Sequence, residues 1–168
     1  MTGRVLVACV GNVLRGDDGF GVAVARRLEA EGQLPPDVDL IETGIGGMSI
    51  VQQLMDGYQT LIVVDAVDRS ARPGTVFVLE PQVPEPGGIP SQEWRELFSN
   101  LHLAEPFRVL LLARAVGVLP QQVRLVGCQP QSCDEFDERL SPPVEAAVEV
   151  AAERVRSLAG AMLACGVG

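Results

Sequence analysis

The chain has 168 residues, 47% apolar and 21% charged, with a formal net charge of −9; all 13 cationic side chains are arginine. That length and apolar content favour one compact folded domain over 1–168 and exclude global disorder. The acidic balance argues against nucleic acid or an anionic membrane surface as the main partner, because both recruit basic residues to phosphate.

Arg4–Val10 reads as a short buried strand, rich in valine and closed by Gly11. "GNVLRGDDGFG" follows at 11–21. Phe20, Val24 and Leu28 then repeat every four residues, which predicts an amphipathic helix ending near Gly32. Val38–Ile41 reads as a second strand, "TGIGGM" at 43–48 as a glycine-rich turn, and Met48–Met55 as a short helix. Leu61–Val64 is aliphatic throughout, as expected of a central parallel strand covered on both faces. "RPGTVFVLE" at 72–80 predicts a turn and another strand, 81–90 a proline- and glycine-rich loop, and Ser91–Phe98 a helical turn bearing Trp94. A helix should begin near Glu105-Pro106, since proline suits the first turn, and end near Gly117. Val123–Gly127 reads as the last strand and 129–140 as irregular. Val144, Val148, Ala151, Val155, Leu158 and Met162 mark one face of a closing helix. Alternating strands and helices predict an α/β fold: a three-layer α/β/α sandwich around a mainly parallel, twisted sheet of about five strands.

No apolar run is long enough to span a bilayer, and no cleavage pattern follows the first strand, so the expected location is cytoplasmic. The four cysteines form no Cys-x-x-Cys pair. Cys9 reads as a small buried hydrophobe, and Cys128 and Cys133 as reduced thiols.

In α/β sheets, sites form beyond the carboxyl ends of the strands. Asp17 and Asp18 follow the first strand, and Asp65 ends the central one. His102, the lone histidine, precedes a predicted helix. Two carboxylates and an imidazole suit a borderline divalent ion such as nickel or zinc. Gly11 to Gly16 has the Walker A spacing, but Asp17 stands where that motif needs lysine. The loop therefore offers negative charge to a cation rather than cradling an anion. Plainer readings stand beside these. Asp18 also reads as a helix N-terminal acid favoured by the dipole, Asp65 as a loop cap, His102 as structural or solvated, and Asp17 as facing solvent. Trp94 and Phe98 read as packing.

The pattern resembles the hydrogenase maturation proteases. The resemblance rests on "VGNVLRGDDGFG" at 10–21, "ETGIGGM" at 42–48, "LIVVDAV" at 61–67, "PGTV" at 73–76, His102, "LVGCQP" at 125–130 and "LSPPVEAAV" at 140–148. It implies an endopeptidase that removes the C-terminal peptide of a nickel–iron hydrogenase large-subunit precursor after nickel insertion. It also implies a metal site of Asp18, Asp65 and His102, with Asp18 and Asp65 as the catalytic carboxylates and nickel borne by the substrate or bound transiently. The family motif usually begins Asp-Gly-Gly where this chain has Glu42-Thr43-Gly44, a departure in a loop expected to border the substrate crevice. Two mechanisms stay open: metal-assisted hydrolysis, or docking through the metal with a carboxylate as general base. The competing class is a non-catalytic nickel- or large-subunit-binding maturation factor. A nucleotide enzyme on the same fold is disfavoured by the acidic loop.

Overall fold

The computed structural model describes residues 3–32, 34–44, 47–93, 95, 105–134 and 136–165. Five strands form one sheet: β1 (Val5–Val10), β2 (Val38–Thr43), β3 (Thr60–Ala66), β4 (Val76–Leu79) and β5 (Gln122–Cys128), in the order β2-β1-β3-β5-β4. Every pairing is parallel except β4 with β5. The helices α1 (Phe20–Glu31), α2 (Met48–Leu54), α3 (Glu105–Ala115) and α4 (Pro142–Cys165) cover the sheet.

Side chains alternate across β1 and sort the core into two layers. Val5, Val7 and Cys9 pack with Phe20, Val24 and Leu28 of α1 and with Val144, Ala151 and Val155 of α4. Leu6, Ala8 and Val10 pack with Ile50 and Leu54 of α2 and with Leu110 and Ala113 of α3. The expected α/β/α sandwich is therefore present. Two strands run further than their apolar runs suggest. β2 continues to Thr43 because β1 pairs with it as far as Val10, and β3 takes in Asp65 because β5 continues opposite it at Gly127. Residues 91–93 are helical as expected, whereas Trp94 and Phe98 lie outside the described residues. All four cysteines are free, with Cys9 and Cys128 buried. No helix among the described residues is long and apolar enough to cross a membrane.

A polar cluster ties Arg4, just ahead of β1, to β2. Arg4 lies 2.6 Å from Asp39, the Tyr58 hydroxyl donates to the same carboxylate at 2.7 Å, and the Arg4 guanidinium stacks over the Tyr58 ring. The Tyr58 hydrogen bond, supported by Arg4 and opposed by partial burial, holds the Asp39 carboxyl below the usual carboxylate range. A depressed folded pKa contributes stability that is full above the unfolded value and is lost as pH falls through the folded one. Urea denaturation should therefore show wild type more stable than Asp39→Asn at neutral pH, with the gap shrinking below about pH 4. A gap independent of pH would remove this ionic contribution.

Candidate functional site

β1 and β3 are direct neighbours, with Cys9 level with Val64. The loop after β1 and the last residues of β3 thus share the carboxyl rim of the sheet, where α/β sites form. Asp65 is the penultimate residue of β3 rather than part of the following loop. It is 6% exposed and accepts a hydrogen bond from the Ala66 N–H at 2.8 Å.

The opening loop closes on itself. The Asn12 N–H donates to the Asp18 carbonyl at 3.1 Å, and the Asp18 N–H donates to the Arg15 carbonyl at 3.2 Å. The Asn12 side-chain oxygen accepts from the Leu14 N–H at 3.0 Å. Gly11 is required here because a Cβ would sit 2.2 Å from the Asp18 carbonyl oxygen. Gly16–Gly19 then form a 3-10 turn that leads into α1.

The two acids of that turn differ sharply. Asp17 is 1% exposed, which corrects the expectation that it faces solvent. Its carboxylate accepts hydrogen bonds from the backbone N–H groups of Gln131, Ser132 and Ser141 and from the Ser141 hydroxyl. A buried carboxylate needs such donors, and these come from a segment more than 100 positions away in the chain, so nothing local in the sequence announces them. Asp18 is only partly buried and stands two residues ahead of α1. Burial raises its pKa, partly offset by the charge of Arg15 and the Asn12 amide.

Cys133 reports on the charge of the rim. Burial, then Asp18, Asp17, Asp134 and Asp65, push its thiol up to about 12. One sulfur is thus within electrostatic reach of both candidate carboxylates. His102 lies outside the described residues. Among the described residues, no three His, Cys, Asp or Glu groups converge on a common metal position. Asp18 and Asp65 are nonetheless fitting donors for a hard or borderline divalent cation, since each is a partly or fully desolvated carboxylate at the same rim.

Two further residues shape the rim. Gln129, 5% exposed just after β5, satisfies all its amide atoms. It accepts from the Arg69 and Ala71 N–H groups and donates to Asp68 and to the Pro130 carbonyl, which fixes the loop that follows Asp65. The only signal in the sequence is a glutamine set between a strand and Pro130. Thr43, at the departure from the Asp-Gly-Gly pattern, is buried with a hydroxyl that has no hydrogen-bond partner among the described residues.

Fold and rim together define an α/β protein whose opening loop, at the carboxyl edge of the sheet, carries two adjacent carboxylates where a phosphate-binding loop would carry lysine. Comparisons with known proteins agree with this class. A family model for hydrogenase maturation proteases matches residues 22–158. The hydrogenase expression/formation protein HoxM of Cupriavidus necator is 34% identical over 151 residues, covering 89% of this chain and 71% of that protein. The crystal structure of a hydrogenase 2 maturation peptidase from a Thaumarchaeota archaeon is similar at a TM-score of 0.68 and 34% identity, over 94% of this chain and 98% of that one. The hydrogenase maturating endopeptidase HybD of Escherichia coli is similar at a TM-score of 0.69 and 32% identity, over 92% and 91% of the two chains. The chain belongs to the hydrogenase maturation protease family.

Proposed function

We propose that this protein is an endopeptidase that removes the C-terminal peptide of a nickel–iron hydrogenase large-subunit precursor after nickel has been inserted, acting in the cytoplasm. The observation that carries this reading is the pairing of β1 with β3, which brings Asp18 and Asp65 to one rim in a chain of this family. Nickel belongs to the precursor and is part of the substrate. Asp18, Asp65 and His102 are its proposed contacts. When docked, the ion supplies Lewis acidity toward the scissile carbonyl.

The chain's own groups divide the remaining work. Asp65, anchored by the Ala66 N–H, presents a fixed carboxylate. Asp18 is the more exposed of the two and so the easier for water to reach, and to it falls the proton of an attacking water. The acidic rim disfavours anionic ligands at the same edge of the sheet.

Incubation with nickel-loaded precursor, followed by mass measurement, tests the proposal. Loss of a C-terminal peptide is expected, with nickel-free precursor left intact. Co-purification with a precursor of unchanged mass would identify a non-catalytic binding factor instead. A docking surface beside the rim adds a second expectation. Leu14 is 44% exposed and Phe136 78% exposed, and the Asp137 N–H donates to the Leu14 carbonyl at 3.2 Å, so the two segments lie side by side. Phe136→Ser should raise KM for the precursor about tenfold while leaving kcat unchanged, the loss of roughly one buried apolar side chain at the complex. An unchanged KM would place precursor docking elsewhere.

A further inference from the structure

We propose that Asp17 is a positioning residue: its buried carboxylate clamps the 131–141 segment onto the opening loop and thereby holds Asp18 turned toward the Asp65 rim. This rests on the reading of Asp18 as a site residue. The clamp is dense. Oδ2 of Asp17 accepts from the Gln131 N–H at 2.7 Å, the Ser132 N–H at 3.2 Å and the Ser141 hydroxyl at 2.8 Å. Oδ1 accepts from the Ser141 N–H at 2.7 Å.

The backbone joins in. The Asp17 N–H donates to the Ser132 carbonyl at 3.1 Å, and the Gly16 N–H donates to the Asp137 carbonyl at 2.7 Å. Arg15 and Asp137 form an isolated parallel bridge. Residue 17 is therefore held through both main chain and side chain.

A 3-10 turn has three residues per turn, so consecutive side chains point about 120° apart. Fixing Asp17 inward against 131–141 sets the direction available to Asp18, whose own N–H and C=O are engaged by Arg15 and Asn12. An ionised carboxylate is acceptor-only, which suits a pocket in which these four partners are all donors. Asparagine has nearly the same shape, but its NH2 group would face a donor and leave at least one buried N–H or O–H unpaired.

The test compares the full chain with Asp17→Asn and Ser141→Ala. NMR reads the Asp18 χ1 couplings and the amide exchange of Gln131, Ser132 and Ser141, and cleavage of nickel-loaded precursor reads kcat and KM. In Asp17→Asn, the Asp18 χ1 couplings should become averaged and the three amides should exchange faster, while Leu6 and Ile62 in the core strands stay protected. kcat should fall about a hundredfold, the scale of a 1 Å misplacement, with KM little changed. A general loss of stability would instead expose the core amides and leave the Asp18 rotamer of the folded molecules unaltered. A single Asp18 rotamer in Asp17→Asn overturns the proposal. If Asp17→Asn does not fold, Ser141→Ala decides: it removes one of the four donors and should average the Asp18 couplings in part, and unchanged couplings overturn the proposal. If wild type cuts no precursor, the endopeptidase reading fails while the rotamer and exchange measurements still decide the role of Asp17.

Discussion

Asp65→Asn and Asp18→Asn should each lower the single-turnover rate of nickel-loaded precursor cleavage by about 10²–10⁴-fold, the usual cost of removing a positioned acid–base group. Each substitution keeps shape and removes charge. At position 65 the amide can still accept from the Ala66 N–H, so the strand end should hold its geometry. At position 18 the effect on stability runs the opposite way from the effect on activity. Burial raises the Asp18 pKa, so folding disfavours its charged form. The stability linked to such a group is full below its unfolded pKa and is lost as pH rises through the folded one. Asp18→Asn should therefore melt above wild type at pH 7, with the difference closing below about pH 4. An inactive variant with a raised Tm separates loss of chemistry from loss of fold. Near-normal cleavage by either variant would remove that residue from the mechanism.

Gly21→Ala should be strongly damaging although it lies outside the rim. Gly21 lies in the first turn of α1, where the helix crosses the carboxyl ends of β1 and β3. A Cβ there would meet the Val10 carbonyl oxygen at 2.1 Å, the Val64 carbonyl oxygen at 2.6 Å and the Val10 nitrogen at 2.9 Å. All three are backbone atoms of central strands, so no side chain can swing aside, and α1 itself must move. Overpacking of this kind costs about 3 kcal/mol or more, because the helix lifts from a close-packed sheet. For a chain of this size that lowers Tm by about 10 °C. The 3-10 turn carrying Asp17 and Asp18 leads directly into α1, so cleavage should fall even at temperatures where the variant is folded. A Tm within about 2 °C of wild type would show that α1 can shift freely.

The glycines of the opening motif illustrate how far local reading reaches. A strand that runs into "GNVLRGDDGFG" already implies a sharp turn, and two carboxylates in place of lysine already exclude a phosphate cradle. Gly21 reads from the sequence only as an early residue of a helix. Its necessity comes from two strand carbonyls that fold in beneath it. The same holds for Asp65, which follows an apolar run and looks like a loop residue until β5 is seen to pair opposite it at Gly127.

The class of the fold and the acidic character of its rim are legible in the residues alone. Apolar spacing selects strands and amphipathic helices, and their alternation leaves few ways to bury both faces of a sheet. The division of labour between two adjacent, chemically identical acids emerges only once the chain is folded. Asp17 turns inward because three backbone amides and a hydroxyl, brought from beyond residue 130, satisfy its buried charge. Asp18, one step further round the turn, is left at the rim beside the end of β3. Local propensity is the same for both, and long-range hydrogen bonding is what separates them.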